Sequence, residues 1–343
     1  MTLEPPAPPR SPWQLFYGAV HTARRRWYRK RARHLPRPVI SIGNLHFGGT
    51  GKTPMTIAVA GHLRDRGRRV AILSRGYRRA RGADVRIVSA GDGPLLGPRS
   101  AGDEPVLMAG ELHGVAVLVG RDRTSAGLHA MTRLPQPPDI FVLDDGFSHL
   151  ALARDLDLLL FPISDPFAGG RLAPSGRLRE PLAAASRADA VVLTGVTEGD
   201  TASGAGLAAG LRSRGFAGPG FSSRTIAGEP RDERGEPLCP GTRVVLAAGI
   251  ARPEGFFASA RAWGLEVVAT IAFPDHHDFP RSSLARLERA ARDGNAEAIL
   301  LTAKDLVKLR GRSAVRLAEL PVCAEPERDF WTWLDGQVQG FAQ

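Results

Sequence analysis

The sequence predicts an α/β protein whose main sheet is mostly parallel and flanked by helices. A smaller α/β domain is expected at the C-terminus and an amphipathic helix at the N-terminus. Three observations support this fold class. Short apolar runs alternate with helix-length segments, as they do in parallel sheets. One such run leads through a glycine-rich loop into a helix. Near the N-terminus, aromatic side chains recur at helical spacing.

Composition limits the class of protein. A chain of 343 residues suits two domains, and 43% hydrophobic with 24% charged residues indicates a globular protein. The two cysteines, Cys239 and Cys323, exclude a cysteine-built metal cluster and a disulfide framework, and they fit a reducing compartment. Apolar runs stay shorter than the roughly 18 to 20 residues of a membrane span, and no signal-peptide core is present. We therefore expect a cytoplasmic chain that does not span a membrane.

The net charge of +11 is unevenly distributed. Residues 1–34 contain eight basic residues and one acidic residue, so they carry +7, and the rest of the chain carries only +4. A nucleic-acid groove usually has a broad basic surface. The sequence therefore predicts a basic cluster confined to the N-terminal segment, and no nucleic-acid partner is expected.

The first predicted element is a helix that begins near Pro12, a residue suited to a first helical turn. A basic cluster that starts at Arg24 flanks its aromatic face. Aromatic rings beside arginines favour a helix at a membrane interface, on an anionic lipid surface. Two alternatives are a core-packed helix with a solvated basic end, and an RNA-binding helix that stacks on bases. The predicted membrane-facing residues are Trp13, Phe16, Tyr17, Val20 and Trp27.

The next segment combines strand, glycine-rich loop and helix. The apolar run 37–44 leads into "GNLHFGGTGKTP", and 53–67 has a helical pattern. This context is typical of a P-loop NTPase-like fold, in which Lys52 reaches the β- and γ-phosphates and Thr53 ligates Mg²⁺. The usual signature has a glycine where this chain has His46. The predicted nucleotide-binding residues are Gly48, Gly49, Thr50, Gly51, Lys52 and Thr53.

The presence of lysine at position 52 supports the prediction of a nucleotide-binding loop. The chain has 42 arginines and four lysines, one of which is Lys52. A lysine in so arginine-rich a chain indicates that a compact ammonium is needed there. The alternative is a glycine-rich turn without a ligand.

Further strands are predicted, and three domains follow from them. In the main sheet we expect strands at 68–74, 115–120, 139–145, 156–161 and 188–194. Because 206–237 is rich in Gly, Pro and Ser, it is predicted to be a linker. Strands near 243–248, 266–272 and 297–302 follow it. The predicted domains are 1–36 (amphipathic helix and arm), 37–222 (nucleotide-binding core) and 223–343 (smaller domain).

Polar side chains follow several of these strands, at the sheet edge where α/β proteins bind ligands. Asp144 and Asp145 end an apolar strand, as a Mg²⁺-binding carboxylate does in P-loop enzymes. The alternative for the aspartate pair is an Asp-Gly turn without metal. The alternative for the other strand tips is an ordinary solvated loop. The other candidates at these tips are Arg75, Tyr77, Asp103, Glu104, Arg121 and Arg123.

Taken in order along the chain, these motifs are specific. "GNLHFGGTGKTP", "SRGY", "DEP", "GRDR", "DDGFSHLALARDLD" and "DPFAGGRLAPSGRLREPL" are followed by "FPDHHDFP" and "LLTAKDLVKL". With them the chain resembles the tetraacyldisaccharide 4′-kinase family, the lipid A 4′-kinases of Gram-negative bacteria. The resemblance extends from the N-terminal helix to about residue 310.

The resemblance implies an activity and a location. Members of the family transfer the γ-phosphate of ATP, with Mg²⁺, to the 4′-hydroxyl of a tetraacylated glucosamine disaccharide 1-phosphate. They act as peripheral proteins at the cytoplasmic face of the inner membrane. The alternative from another class is a membrane-associated P-loop ATPase switch that acts through protein partners.

The resemblance also implies roles for individual residues. Asp103 matches the catalytic aspartate and His276 its partner, although the adjacent His277 leaves that choice open. The expected action is proton removal by Asp103, oriented by the imidazole, in a site that closes between the two domains. The expected metal ligands are Thr53, Asp144, Asp145 and Glu180. The expected substrate-binding residues are Arg75, Tyr77, Arg121, His149 and Arg171.

Two positions depart from the family pattern. Ser148 stands where the family usually has glutamine, and Ala303 where it has glutamate. The first shortens a side chain beside the expected metal site, so contacts with the substrate can differ there. The second removes a carboxylate from the smaller domain.

Overall fold

The structure is a computed structural model that describes residues 3–7, 12–29, 31–77, 79 and 85–341. Two sheets organise these residues. The strands are β1 (Val39–Asn44), β2 (Val70–Ser74), β3 (Val85–Ser89), β4 (Ala116–Gly120), β5 (Ile140–Asp144), β6 (Leu156–Pro162), β7 (Ala190–Val196), β8 (Gly220–Ala227), β9 (Arg231–Asp232), β10 (Arg243–Ala248), β11 (Glu266–Ala272), β12 (Ala298–Thr302), β13 (Arg316–Leu320) and β14 (Val322–Pro326).

The helices cover the faces of the sheets. They are α1 (Pro12–Arg29), α2 (Lys52–Asp65), α3 (Pro98–Ala101), α4 (Asp103–Glu111), α5 (Arg123–Arg133), α6 (Gly204–Leu211), α7 (Glu254–Ala262), α8 (Arg281–Asp293), α9 (Ala303–Leu309) and α10 (Arg328–Gly340). Among the described residues, no helix combines the length and the apolar character that crossing a bilayer requires.

The larger sheet has nine strands in the order β14-β8-β7-β6-β1-β5-β2-β4-β3. Only the two outermost strands, β3 and β14, run antiparallel to their neighbours. Every residue of β1, β2, β4 and β5 is buried, as expected for a parallel sheet that is covered on both faces. The predicted fold class is therefore confirmed, and the predicted strands agree with the observed ones to within two residues.

Strand β1 lies in the middle of this sheet and positions the site. It pairs with β5 on one side and β6 on the other, both parallel. In this register Ile42 lies beside Asp144. The loop that follows β1 therefore emerges next to the aspartate pair at the carboxyl end of β5, where ligands bind in such sheets.

The smaller sheet has five strands in the order β11-β10-β12-β13-β9. Apolar clusters cover both of its faces, one around Phe256 and Phe257 of α7 and one around Leu284 and Leu287 of α8. Helix α9 packs against α4 of the larger domain. This contact brings the smaller domain to the edge of the sheet at which β1 and β5 end.

The prediction of a linker over 206–237 is wrong. This segment contains most of α6, all of β8, which pairs in parallel with β7, and the short strand β9. Its glycines allow close packing. A Cβ atom on Gly218 would lie 2.1 Å from the carbonyl oxygen of Asp189, and one on Gly220 would lie 2.0 Å from the carbonyl oxygen of Gly204. Glycine-rich composition here reflects contact between backbones, which composition does not distinguish from flexibility.

The predicted domain boundary also differs from the observed sheets. The predicted boundary between residues 222 and 223 falls inside β8. The chain also returns to the larger sheet after residue 321, because β14 pairs with β8. Helix α10 then buries Phe330, Leu334 and Val338 in the same core that α2 packs against. The smaller sheet is thus an insertion between two parts of the larger domain. No local sequence pattern predicts that β14 and α10 rejoin the larger domain, since this depends on pairing between strands that are distant in the chain.

Candidate active site

The glycine-rich loop is held in a defined shape. Gly48 and Gly51 have φ of 105° and 76°, which side chains with a Cβ rarely adopt. Asn44 donates its Nδ2–H to Thr50 Oγ1 at 2.6 Å, and Thr194 of β7 donates its hydroxyl to the Thr50 carbonyl oxygen at 3.1 Å. Strands β1 and β7 therefore hold Thr50 of the loop in place before any ligand binds.

Lys52 begins α2, directly after the loop. Its side chain is 16% exposed, and Nζ lies 3.8 Å from Asp145 Oδ1. Lys52 thus combines a position at the N-terminus of α2 with an ammonium close to the aspartate pair. A helix N-terminus with a cation beside it attracts phosphate.

One carboxylate oxygen of Asp144 accepts a hydrogen bond, and the other has no partner among the described residues. Ser74 Oγ donates to Oδ2 at 2.9 Å, while Oδ1 is buried without a hydrogen-bond partner among the described residues. Burial, together with the charges of Glu104 and Asp145, raises the pKa of this carboxyl to about 7. A bound cation would lower this pKa again, because it favours the ionised form of the carboxyl.

Asp145 is held by an arginine that the sequence analysis did not select. Arg179 Nη2 and Nη1 donate to the two carboxylate oxygens at 2.8 and 2.9 Å. Burial opposes ionisation of Asp145, but these bonds and the charge of Lys52 outweigh it, so the pKa lies well below its usual range. Arg179 belongs to the quoted "LREP" segment. Position in a motif alone did not show which way its side chain points.

The residues around Asp144 fit a Mg²⁺ ion that is shared with a nucleotide. Among the described residues, no three His, Cys, Asp or Glu side chains gather as a metal cluster. A P-loop Mg²⁺ does not need one, because a Thr hydroxyl, a carboxylate, phosphate oxygens and water complete its shell. Thr53, in the first turn of α2, and the partnerless oxygen of Asp144 would supply such ligands.

Glu180 makes contacts of a different kind. It is 3% exposed and accepts hydrogen bonds from Ser148 Oγ at 2.6 Å and from Arg187 Nη2 at 2.8 Å. Both of its oxygens are therefore engaged. The serine that departs from the family pattern reaches this glutamate.

Asp103 and His276 meet across the two domains. Asp103 lies in the first turn of α4 and is 8% exposed, and its Oδ2 is 3.3 Å from His276 Nδ1. Burial opposes ionisation, but the hydrogen bond with His276 and the charges of Lys304 and Lys308 hold the pKa of Asp103 well below its usual range. The exposed ring of Tyr77 lies 5.5 Å from the imidazole.

The structure distinguishes the two adjacent histidines. His276 has a left-handed backbone, with φ of 58°, and donates its N–H to the Gly249 carbonyl oxygen at 3.0 Å. His277 turns into its own domain, where Nε2 lies 2.8 Å from Ser283 Oγ and the ring stacks on Phe273 at 4.5 Å. Only His276 reaches Asp103.

A basic group lies at the tips of β2, β4 and β5. Arg123, the first residue of α5, is 4% exposed and donates Nη1–H to the carbonyl oxygen of Arg121 at 3.2 Å. Burial first, and then the charge of Arg75, lower the pKa of its guanidinium to about 10. Burial and Arg123 lower the pKa of His149 to about 4. This combination of buried cation and neutral imidazole suits an anionic sugar ligand.

The remaining predicted residues lie at the rim. Arg121 is exposed beside the buried Arg123, which the sequence analysis noted but did not select. Asp122 caps α5 by accepting a hydrogen bond from the Thr124 N–H at 3.1 Å. This cap is a sequence signal that places Arg123 in the first helical turn, but it does not show that the side chain is buried. Arg171 is exposed, and its carbonyl oxygen accepts from the Leu178 N–H at 3.1 Å. Among the described contacts, none joins Arg171 to Lys52 or to Asp103.

Helix α1 forms as predicted and lies near this site. Phe16, Val20 and Trp27 are 61%, 47% and 52% exposed. Tyr17 is partly buried, and its hydroxyl donates to the Arg179 carbonyl oxygen at 3.4 Å, so it belongs to the face that contacts the larger domain. The side chain of Trp13 lies outside the described residues.

Known proteins resemble the chain along its length. The pattern that defines the family tetraacyldisaccharide-1-P 4′-kinase matches residues 10–339. The tetraacyldisaccharide 4′-kinase of Geobacter sulfurreducens is 43% identical over 314 residues, which cover 90% of this chain and 85% of that protein. The protein of the same name from Anaeromyxobacter sp. (strain Fw109-5) is 44% identical over 84% of this chain and 76% of its own length. A crystal structure of LpxK from Aquifex aeolicus in complex with ATP is 31% identical, with a TM-score of 0.73 over 96% of this chain and 97% of that one. The chain therefore belongs to the tetraacyldisaccharide-1-P 4′-kinase family.

Proposed function

We propose that this chain transfers the γ-phosphate of ATP to the 4′-hydroxyl of tetraacyldisaccharide 1-phosphate in lipid A biosynthesis. Family membership supports the reaction. The observation that carries the mechanism is the pairing of Asp103 with His276 across the two domains, at the sheet edge that also holds Lys52 and the aspartate pair. A phosphate donor and a hydroxyl acceptor would approach each other there.

The triphosphate is bound by the larger domain. Backbone N–H groups of the loop over 48–51 and the start of α2 face the phosphates, and Lys52 neutralises their charge. Mg²⁺, when bound by Thr53 and Asp144 with Asp145 close by, supplies further neutralisation of the phosphate oxygens. Because the loop is already fixed by Asn44 and Thr194, little reorganisation accompanies binding.

Asp103 accepts the proton of the 4′-hydroxyl. As the oxygen bonds to phosphorus, the bond between the γ-phosphorus and its bridging oxygen breaks, and ADP leaves. A carboxylate with a low pKa is a weak base, but a loose phosphoryl-transfer transition state needs proton removal only late. His276, 3.3 Å away, orients the carboxylate and shares the proton.

The acceptor is bound by the basic group near β2, β4 and β5. Arg75, Arg121, Arg123 and His149 suit the phosphate and hydroxyl groups of the disaccharide. Tyr77 contacts His276 and is 57% exposed, so its ring is available to a sugar. A role for Arg171 remains a sequence prediction.

Helix α1 is proposed to lie on an anionic membrane surface at the cytoplasmic face of the inner membrane. Its exposed Phe16, Val20 and Trp27 would enter the interface, and the basic cluster from Arg24 onward would meet lipid phosphates. Tyr17 joins this helix to the segment that carries Arg179. A lipid substrate would thus reach the site from the surface on which α1 rests.

The proposal is tested by phosphate transfer. Wild-type protein, Lys52→Ala and Asp103→Ala are mixed with radiolabelled ATP, Mg²⁺ and tetraacyldisaccharide 1-phosphate in detergent. We expect labelled lipid with the wild type and a loss of about 10² or more with each variant. Arg292→Met, which removes an exposed charge on α8, is the matched control and should retain activity. Consumption of ATP without labelled lipid would overturn the proposed acceptor.

A further inference from the structure

Two of the four lysines in the chain lie at the same carboxylate. Lys304 and Lys308 are both on α9 of the smaller domain, and Asp103 is on α4 of the larger domain. Their Nζ atoms lie 3.9 and 3.4 Å from Asp103 Oδ2. The two residues are one helical turn apart, so they share a face of α9. Helix α9 thus presents an ammonium pair, Lys304 and Lys308, to the proposed base.

Lys304 makes its contacts across the domain boundary. Its Nζ donates to Glu104 Oε1 at 3.0 Å and lies 3.4 Å from His276 Nε2. The side chain is 18% exposed. Burial disfavours the charged form, but Glu104 and Asp103 outweigh it and raise the pKa of the ammonium. Lys304 therefore remains a cation between two carboxylates and the catalytic imidazole.

Lys308 is anchored within its own domain as well. Its Nζ donates to Asp305 Oδ1 at 3.0 Å and to the His277 carbonyl oxygen at 3.1 Å. Asp305 is fully buried and accepts the Gly249 N–H at 2.8 Å. The same glycine accepts the N–H of His276 through its carbonyl oxygen. The position of Lys308 is thus tied to the loop that carries His276.

The smaller domain also holds the opposite end of α4. Glu111, the last residue of that helix, accepts a hydrogen bond from Arg231 Nη2 at 2.7 Å. Arg231 Nε donates to the buried Glu319 of β13 at 2.9 Å. Ion pairs with the smaller domain therefore fix both ends of α4, and the direction of Asp103 depends on where that domain sits.

The charges near Asp103 explain why cations are needed there. Asp103 and Glu104 are adjacent, and Glu104 lies close enough to Asp144 to raise its pKa. A triphosphate brought to this edge adds further negative charge. Without compensation the base would be repelled from the phosphate that it must approach. The ammonium pair supplies two positive charges at this point.

We propose that Lys304 and Lys308 are positioning residues that hold the Asp103 carboxylate against the phosphate donor and make its placement depend on docking of the smaller domain. This inference rests on the proposed function. In a chain with 42 arginines, lysine at these positions fits the geometry, because two planar guanidinium groups need more room than two ammonium groups.

Lys304→Met is the most direct test, because replacing Lys308 instead would also remove its hydrogen bond to the buried Asp305. We expect kcat for lipid phosphorylation to fall by about 10², with little change in the KM for the lipid. The acidic limb of the kcat profile should move to higher pH, because removing a cation raises the pKa of Asp103. The other titratable groups that face Asp103 or His276 are Lys308, Glu104, Asp275, Tyr77 and His276 itself, and they are unchanged.

Two comparisons separate positioning from a purely structural role. Arg292→Met carries the same loss of charge on the same domain and should match the wild type. In an Asp103→Asn background, Lys304→Met should cost far less than in the wild type, because the carboxylate that it holds is gone. Lys304→Arg, which keeps the charge, should restore the position of the acidic limb even where kcat stays low.

The outcomes are distinct. If the wild type labels no lipid, the proposed function fails. If the wild type labels lipid and Lys304→Met has an unchanged kcat, the positioning role alone is overturned. A loss of kcat that is equal at every pH, equal in the Asp103→Asn background and accompanied by a lower melting temperature would also overturn it.

Discussion

At the residue scale, the contact between the proposed base Asp103 and its partner His276 depends on one strained backbone position. His276 adopts φ of 58° without being glycine, a conformation that costs of order 1 kcal/mol or more. The hydrogen bond from its N–H to Gly249 holds the loop in this shape. As a result the imidazole leaves its own domain and meets Asp103, while the next residue, His277, packs inward. Two neighbouring residues of one type thus have different surroundings.

We predict that the two histidines respond differently to substitution. His276→Ala should lower kcat by about 10² to 10³, with a small change in melting temperature, because its ring is at a domain boundary. His277→Ala should keep kcat within a few-fold and lower the melting temperature, because it loses the stacking on Phe273 and the contact with Ser283. Kinetics and thermal unfolding measured side by side would check this, and equal kinetic losses would contradict it.

Individual residues were predictable from the sequence when a local pattern fixed their position. Lys52 and Asp144 follow directly from a strand that leads to a loop, and both lie at the expected sheet edge. Arg179 and Lys304 were missed, because their importance depends on partners that are distant in sequence: Asp145 for the first and Glu104 for the second. No spacing rule connects residues that are so far apart in the chain.

At the element scale, glycine allows helix α6 and strand β8 of the larger domain to pack in close contact. Helix α6 and strand β8 approach so closely that a Cβ at position 204 would overlap the backbone of Phe221. The N-terminal arm packs on the same helix, where Leu3 donates its N–H to the Gly206 carbonyl oxygen at 3.2 Å. This packing covers one side of the strand β7 that supplies Thr194 to the nucleotide loop.

Gly204→Ala is predicted to destabilise the larger domain. The new methyl group would lie 2.0 Å from the Phe221 carbonyl carbon, and relief requires a shift of backbone, so the cost should be about 3 kcal/mol. Gly199→Ala is the matched control, because a Cβ there meets nothing within 4 Å. Urea unfolding of both variants checks this. A Gly204→Ala midpoint equal to that of Gly199→Ala would contradict the packing argument.

Helix α1 gives a second prediction at this scale. Phe16→Ser and Trp27→Ser remove exposed apolar side chains, so folding should be unaffected, while binding to vesicles of anionic lipid should weaken by about an order of magnitude for each. Leu128→Ser, which removes an exposed leucine of α5, is the control. Cosedimentation with anionic and zwitterionic vesicles, and a parallel titration with duplex DNA, measures this. Tighter binding to DNA than to vesicles would contradict the membrane interface.

For the whole molecule, the buried His46 and the half-buried His149 make stability depend on pH. His46 is 3% exposed, and burial lowers its pKa to about 4; burial and neighbouring arginines lower the pKa of His149 to the same value. In the unfolded chain both would titrate near 6.5. Between these values the unfolded chain binds more protons, so the stabilisation is complete above about 6.5 and is lost as the pH falls toward 4.

We therefore predict that these two histidines lower the free energy of unfolding between pH 7 and pH 5. The raised pKa of Asp144 opposes them over the same range, because its carboxyl binds a proton in the folded chain before it does so in the unfolded one. Each histidine contributes at most about 3 kcal/mol when the effect is complete. His46→Gln should flatten this dependence, whereas His113→Gln, at an exposed position, should not. Urea unfolding at several pH values measures the slopes. An identical slope in the wild type and in His46→Gln would contradict the assignment. The aspartates with lowered pKa act only at lower pH, as the pH falls below about 4.

From the family motifs, the sequence implied Asp103 and left His276 and His277 open as its partner. By itself, it determined the fold class, most strands, helix α1 and the nucleotide loop. These features follow from hydrophobic periodicity, from turn chemistry and from motifs whose residues are adjacent in the chain. Only the tertiary structure decided that β14 and α10 return to the larger sheet, that the glycine-rich segment is packed, and that α9 places two lysines at Asp103. The physical reason is common to all three. Each depends on pairing between residues far apart in the chain, and the free energy of such contacts has no local signature in the sequence.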